Sequence, residues 1–500
     1  MARSKVEGAV FGVAVGAVCF AAAAAMLSFG DITQDDAFIS FRYAENLAAG
    51  NGLVYNVGER VEGFTNLLWT LFVAAAIKLG IAAPAAGRGL GIASAVVAVA
   101  VTALLARRYA HAYLGIVAAA MLAANGNFLV EGAQGLETPF FVLIVTLAAW
   151  RAAEEYVAPG RRPLSALLLI VTFLTRPDGA LVAVAAFPFY LATARANPRR
   201  LAVWLGSLAI AAVAYEGWRL VYYGAWLPNT CHVRIAFAPA SLKFGLRYTG
   251  LFLWRFTPLL LLLPLAARRR RVFYPAAALI LLFLVYVTAV GGDMKPTDRF
   301  YQPIVPLLLV AAAAAAYDLA RAATWVTRAV WAALAVALVA TSLFQNFPGF
   351  RYAQNSRLPH DLHVAAGKWL AAHAPPEATL ATTAAGIIPY YSGLPTIDMC
   401  GLTDRHIARH GVCTFTLPGH GLAAAEYVLD REPDYVLIYE LIFAPEPPSY
   451  EAVVSQAQWP ATRELVMSPR FREEYVMSHA AVAPGWYFVY FLRAEAGRPF

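Results

Sequence analysis

Charge is scarce in this chain of 500 residues: 14% of it is Asp, Glu, Lys or Arg, whereas 60% is hydrophobic. A soluble protein carries about a quarter charged residues, so an ordinary soluble globule is excluded. Cysteine is also sparse, at four residues. Heptads, a low-complexity tail and internal repeats are absent. No G-x-G-x-x-G follows a strand-like run, which leaves a nucleotide site without support.

What is present is a series of apolar runs from Val10 to about Phe344, several near the ~20 residues a spanning helix needs. The chain reads as a polytopic α-helical membrane protein. The first run, residues 8–30, follows Arg3 and Lys5 but is long for a signal peptide, and the spans after it favour a first transmembrane helix. The net charge of +8 does not call for nucleic acid, because much of it lies in short basic clusters between apolar runs: Arg199 and Arg200, Arg268 to Arg271, Arg321 and Arg328. Such clusters mark cytoplasmic loops. This places the N-terminus inside and the polar segments 31–62, 222–248 and 291–302 outside. A last span at 329–344 makes everything after Gln345 extracytoplasmic. Six apolar runs lie between Glu62 and Arg200, where opposite sides require an odd number of crossings. Two of them, 164–174 and 180–193, flank "TRPDG" and are short, which suits a re-entrant or broken pair lining a cavity. Such a pair removes none or two crossings and leaves the parity open.

The chain divides into a multi-span part, residues 1–345, and an outer domain, residues 346–500. In the latter, "HDLHVAAGKWLAAHAP" and "LAAAEYVLDREP" read as helices and "ATLATT", "DYVLIYE" and "GWYFVYFLRA" as strands, a small α/β domain. It holds seven of the nine histidines and two of the four cysteines. Cys400 and Cys413 are expected to form a disulfide in an oxidising compartment. His406 and His410 stand at i, i+4 spacing between them, but the tract matches no familiar zinc pattern; a loop and short helix is the expectation, with no metal.

The segment "DITQDDAFISFRYAENLAAGNGLVYN" follows twenty-three uncharged residues and at once places Asp35 and Asp36 beside the membrane, where charge is costly unless used or solvated. From Asp35 the helical period puts Ala37, Phe41, Ala44 and Ala48 on one face. Asp35, Asp36, Ile39, Arg42, Tyr43 and Asn46 lie on the other, as in a helix lying at the membrane interface. A Gly-Asn-Gly turn and a short strand should follow, then Glu59, Arg60 and Glu62. One Asp is an ordinary helix cap; two, with a basic residue on the same face and more carboxylates beyond, point to a site. Asp35 and Arg42 fall within about 20° of each other, so Asp35 is expected to pair with that guanidinium, leaving Asp36 the more basic.

The run "DDAFISFRYAENLAAGNGLVYNVGERVEGFTN" resembles the first outer loop of the GT-C superfamily of membrane glycosyltransferases, in particular the terminal arabinofuranosyltransferases that build cell-wall arabinan. "GLETP", "LPNT", "GGDMKPTDRFYQPIVP" and "DMCGLTDRHIAR" support the resemblance; Met294 after "GGD" and the inserted "KPTD" depart from the family. The resemblance implies an inverting transferase in the plasma membrane. It would move a sugar, arabinofuranose in the nearest family, from a polyprenyl-phosphate donor to a glycan acceptor on the outer face. An acidic residue of the first loop, Asp36 or Asp35, would be the general base. Arg42, Arg234 and Arg299 could hold the leaving phosphate. Tyr43, Glu59, Glu62, Glu137, Asn229 and Asp293 complete the candidate donor and acceptor contacts. Base catalysis needs no metal, although a carboxylate-rich loop suits a divalent cation. A hexosyltransferase acting on protein or lipid is the alternative within the class. A lipid-glycan flippase is the alternative outside it, disfavoured by charges clustered at span ends and by the lack of an inverted repeat. A non-catalytic scaffold would not need the carboxylate pair. Arg176 and Asp178 read as a structural pair, His232 as a loop histidine or phosphate contact, and Tyr222, Tyr223 and Trp226 as an interfacial aromatic belt.

Overall fold

The computed structural model describes the backbone of residues 2–195, 197–233, 239–321, 325–413 and 421–494, and side chains over the same ranges except 2–5, 239–240 and 325–347. The membrane part is helical throughout, because in hydrocarbon only intra-segment hydrogen bonds satisfy the backbone. In chain order it comprises α1 (Ala2–Ser28), α2 (Asp35–Ala49), α3 (Leu67–Lys78), α4 (Ala83–Tyr109), α5 (Ala112–Ala123), α6 (Gly126–Ala133) and α7 (Thr138–Val157). There follow α8 (Ser165–Thr175), α9 (Ala180–Thr193), α10 (Pro198–Tyr223), α11 (Asn229–Val233), α12 (Pro239–Arg269), α13 (Tyr274–Ala289), α14 (Val305–Arg321) and α15 (Trp325–His373). Six helices among the described residues are long and apolar enough to cross a membrane: α1, α4, α10, α12, α13 with the turn before it, and α14 with the turn before it. The chain is a multi-pass membrane protein.

The region that charge and parity left open has a simple arrangement. Helix α3 has 12 residues, about 18 Å of rise, too few to span, and packs on α2. Helices α5 and α6 meet at a 63° bend and together are long and apolar enough for one span. Helix α7 carries Arg151, Glu154 and Glu155 towards the end opposite α2, where Glu154 meets Arg108 and Arg161. Helices α8 and α9 form the pair around "TRPDG". Ser165 and Tyr190, at the two far ends, share one hydrogen-bond network at the Glu155 end, while Arg176 at their apex reaches Glu137 at the α2 end. The pair therefore rises and returns. Between Glu62 and Arg200 the chain thus runs from the α2 end to the Glu155 end along α4, back along α5–α6 and out again along α7, which with Arg151, Glu154 and Glu155 is not one of the six span-length apolar helices.

The chain also differs from its periodic reading at two places. Residues 53–56 form no strand. Side chains take up their backbone instead: Arg42 and Asn46 donate to Tyr55 O, Asn46 also to Val54 O, and the Tyr223 hydroxyl to Leu53 O. Backbone groups satisfied this way have no need of a neighbouring strand. The run 434–440 is a strand, β5, only at Tyr435–Val436; Tyr439–Leu441 is a short 3-10 turn.

The C-terminal part is an α/β domain. Strands β1 (Leu380–Thr382), β2 (Thr396–Asp398) and β5 are parallel, in the order β2-β1-β5. The long β8 (Trp486–Arg493) runs antiparallel to β5, to β6 (Phe443–Ala444) and to β7 (Tyr475–Ala483). A separate hairpin joins β3 (Val412–Cys413) to β4 (Leu422–Ala423). Helices α16 (Ile387–Ser392), α17 (Arg405–His410) and α18 (Ala425–Asp430) lie between strands. The C-terminal half of α15 carries this domain, and α16 packs on both α15 and α2.

Candidate active site

Helix α2 begins with two acids, favoured at a helix N-terminus, and ends at Gly50, whose φ of 88° is the left-handed cap glycine supplies. It does not lie with one face in lipid. Its apolar face, with Phe38 and Phe41, packs against α3, α4 and α16, and Tyr43 on its other face is fully buried. Two layers of protein clasp it.

The polar face divides into an anchoring part and an open part. Arg42 does not pair with Asp35. It donates to Tyr55 O, Asn56 Oδ1, Pro389 O and Leu394 O, and so joins the first loop to the outer domain. Asp35 instead accepts the backbone N–H of Ile387 at 2.7 Å. Gly386 permits this approach, since a Cβ there would stand 2.1 Å from the Asp35 carbonyl oxygen. Burial pushes the Asp35 carboxyl up to about 7, against the lowering effect of that N–H bond. The wheel-based expectation thus fails in its reason: a guanidinium whose donors are committed to carbonyls cannot also hold Asp35.

Asp36 is half-exposed and faces the loop between α13 and α14. Its carboxylate lies 3.7 Å from both Lys295 Nζ and Arg299 Nη1, and Arg299 Nε is 2.8 Å from Asp293 Oδ2. Gly292, at φ 71° and with a would-be Cβ 2.6 Å from the Tyr248 ring, lets the loop turn over α12. Asp298, itself at φ 52°, fixes the loop from below by accepting from Arg255 Nη1 at 2.5 Å and Asn127 Nδ2 at 3.1 Å. Beneath the cations lies Glu131, fully buried, accepting from Thr297 Oγ1 at 2.6 Å. Burial, with Arg299 nearby, holds the Lys295 amine below its ordinary value. Burial also opposes the Arg299 charge, but Asp293, Glu131 and Asp36 outweigh it and keep the guanidinium protonated. Lys295 and Glu131 were not among the sequence candidates. An isolated acid within the apolar run "NFLVEGAQGLETP" was the available signal for Glu131; Lys295 lies in the insertion by which the loop departs from the family.

Of the sequence candidates, Asp35, Asp36, Asp293 and Arg299 come together. Glu137 is close behind them, bridging Arg176 Nη1 and Asn66 Nδ2, each at 2.9 Å. It occupies the N-cap position of α7 without a capping hydrogen bond. Arg176 grips Asp178 through two nitrogens, at 2.9 and 3.2 Å, so that pair is structural with Glu137 as its third member. The other candidates stand apart, tying the first loop to itself, to α10 or to the outer domain. Tyr43 is buried, donating to Val61 O and accepting from Gly63 N. Glu62 is buried against Arg219 at 2.7 Å and has no opening to a ligand. Glu59 accepts from Asn56 and faces Arg431 at 3.6 Å. The Asn229 amide donates to the carbonyls of Gly401, Leu402 and Asp404. Arg234 lies outside the described residues. Tyr222 does not simply face lipid: its hydroxyl accepts from Leu53 N, and Tyr223 is buried.

The disulfide is not formed. Cys400 is a buried thiol after β2 and Cys413 an exposed one on β3. His406 stacks on Tyr427 at 4.0 Å, with His410 beside it at 4.9 Å. Among the described residues no three His, Cys, Asp or Glu side chains converge as a metal site would require. The cluster at Asp36 sets two cations against its carboxylates, a donor set that suits an anionic phosphate rather than a divalent cation.

A profile described as a domain of unknown function (DUF8728) matches residues 349–490. Over 216 residues the chain is 31% identical to the terminal beta-(1->2)-arabinofuranosyltransferase of Mycobacterium tuberculosis; the match covers 39% of this chain and about a third, 34%, of that relative's length. ArnT from Cupriavidus metallidurans, solved bound to undecaprenyl phosphate, superposes with a TM-score of 0.54 at 15% identity, covering 78% of this chain and 85% of that one. The Archaeoglobus fulgidus oligosaccharyltransferase, solved with Zn and sulfate, superposes with a TM-score of 0.51 at 12% identity, covering 93% and 72%. The chain therefore shares the fold of these two membrane proteins, and its sequence likeness to the mycobacterial transferase extends over about a third of that relative.

Proposed function

We propose that the protein transfers a sugar, arabinofuranose by its likeness to the mycobacterial relative, from a polyprenyl-phosphate donor to a glycan acceptor. The observation that carries the reading is the half-exposed Asp36 carboxylate 3.7 Å from two cations at the end of the bundle where the outer domain docks. That end is taken as extracytoplasmic, because Arg108, Arg161, Arg200 and Arg270 all gather at the other. Lys295 and Arg299 hold the donor phosphate by charge-assisted hydrogen bonds. Asp36 takes the proton from an acceptor hydroxyl as its oxygen attacks the anomeric carbon. The bond from that carbon to phosphate oxygen breaks with inversion, and polyprenyl phosphate leaves with both electrons. Asp36 rather than Asp35 is the base because it is the one a substrate can reach. Asp35, tied to Ile387, sets the angle of the helix. Purified protein incubated with polyprenyl-phosphate arabinose and a short glycan acceptor should form the extended glycan and release polyprenyl phosphate. Absence of both products with a range of acceptors would defeat the reading.

A further inference from the structure

A second concavity lies in the outer domain, beside the site above. It is a cleft of about 450 Å³ between α15, the turn at 439–443 and the loop at 456–459. Its size is that of a small-molecule site. Tyr439 and Trp459 form one wall, their rings stacked at 4.9 Å and 27°. Gln456 and Gln458 stand exposed at the mouth. His363 forms the floor, its ring edge-on to Phe443 at 4.9 Å. Its Nδ1 is 2.7 Å from Pro359 O; a carbonyl only accepts, so Nδ1 carries the proton and Nε2 is an acceptor.

The wall is built rather than incidental. Glu440 Oε1 accepts the backbone N–H groups of Gln458 and Trp459, both at 2.7 Å, and the Thr462 hydroxyl at 2.8 Å. One carboxylate oxygen therefore fixes the loop that presents Trp459. The cleft also lies near the charged site. His360, one turn before His363 on α15, lies 3.6 Å from Asp31 and 6.3 Å, ring to ring, from Phe38, two residues after Asp36. Tyr439 is near enough for Asp35 and Asp36 to add to the burial that disfavours its ionisation.

The chemistry of the lining narrows the ligand. Among the described residues no Lys or Arg lines the cleft, so none of them compensates an anion there. An alkyl chain would offer no hydrogen bond to His363 Nε2 on the floor or to the Gln456 and Gln458 amides at the mouth, and stripping water from them would be costly. A sugar matches both halves: its C–H face packs on aromatic rings, and its hydroxyls both donate to and accept from amides and imidazole. We propose that this cleft is the acceptor subsite, holding terminal sugar residues of a glycan against Tyr439 and Trp459 so that a further hydroxyl reaches Asp36. The inference rests on the transferase reading and assigns the outer domain its part in it.

The test is equilibrium binding of short linear arabinofuranoside and mannoside oligosaccharides to the full-length protein in nanodiscs, read by saturation-transfer NMR and calorimetry without donor. At least one oligosaccharide should bind. Trp459→Ala should weaken it by about tenfold, the upper range for one aromatic contact, and Trp459→Phe should recover most of the loss. Gln458→Ala, which keeps the backbone N–H bound by Glu440, should weaken it several-fold. Polyprenyl phosphate should bind all variants alike. If Trp459→Ala lowers the melting temperature, Gln458→Ala carries the test alone. Binding of neither oligosaccharide, or equal binding by wild type and Gln458→Ala, overturns the proposal. Weakened binding in the variants, with no sugar transfer by the wild type, leaves the cleft a glycan site and removes the transferase reading instead.

Discussion

Two charged clusters occupy opposite ends of the helical bundle, and they are built differently. At the end away from α2, Glu155 is fully buried and saturated. Arg151 Nε at 2.7 Å and Ser165 N at 3.0 Å reach one oxygen; the Ser165 and Tyr190 hydroxyls reach the other, with Arg200 at 3.8 Å. Trp204 Nε1 donates to the same Ser165 hydroxyl, and the Tyr190 and Trp204 rings stack at 4.4 Å. At the α2 end, Asp36 is half-exposed and its cations stand 3.7 Å away, beyond direct hydrogen-bond reach. A saturated network fixes helices. One whose carboxylate stands half in solvent beside two cations, with Arg299 steadied by Asp293 at 2.8 Å, can be reached by a substrate. The contrast separates structural from functional charge better than burial does, since Lys295 and Arg299 are also largely enclosed.

The sharpest way to break the comparison is Asp36→Asn, which keeps shape and removes the base. Turnover should fall by on the order of 10²–10⁴ with expression and donor binding close to wild type. Normal transfer by this variant, with Asp35→Asn inactive, would exchange the two roles; normal transfer by both would make the pair a helix cap. Glu155→Ala probes the other end. Removing one partner of a buried ion pair costs about 3–5 kcal/mol, so thermal unfolding in detergent should occur well below wild type. Transfer per folded molecule should be unchanged. A stable but inactive Glu155→Ala would erase the distinction between the ends.

Arg299→Gln and Lys295→Met should weaken polyprenyl-phosphate binding by about tenfold each, about 1.4 kcal/mol, and leave acceptor binding alone. Equal donor affinity in both variants would return the pair to a structural role. The smallest expected effect concerns Asp35. Its carboxyl is raised from 3.8 to about 7, so between those values the folded chain holds a proton that the unfolded chain has lost. Its contribution to stability is therefore present at low pH and is lost as pH rises through that window. Asp35→Asn keeps an acceptor for Ile387 N–H and cannot ionise. Its melting temperature should fall less than that of wild type between pH 5 and pH 8, and parallel curves would show that Asp35 is already charged at pH 5.

Much of the fold was legible along the chain because lipid imposes a one-dimensional rule. A span must be long, apolar and helical, and α1, α4, α10, α12, α13 and α14 are all of these. The short β1 and the long β8 were legible by their apolar runs. The α5–α6 bend and the α8–α9 return were not, since a broken or returning helix has the same composition as a spanning one. The strand expected at 53–56 failed because its backbone partners are side chains, from the neighbouring α2 and from α10, which is remote in sequence.

The same division holds for the site. Local composition singled out Asp35 and Asp36 as charges set beside a membrane, and the family resemblance of the segment from Gly291 added Asp293 and Arg299. The sequence determined that these residues lie in polar segments at the ends of apolar helices, because charge and hydrocarbon exclude each other over the length of a helix. The tertiary structure decided their partners: Arg42 to the outer domain, Asp35 to Ile387, Asp36 to Lys295 and Arg299. Periodicity orders side chains around one helix, but which of them meet depends on elements brought together across more than two hundred residues, and no local pattern encodes that distance.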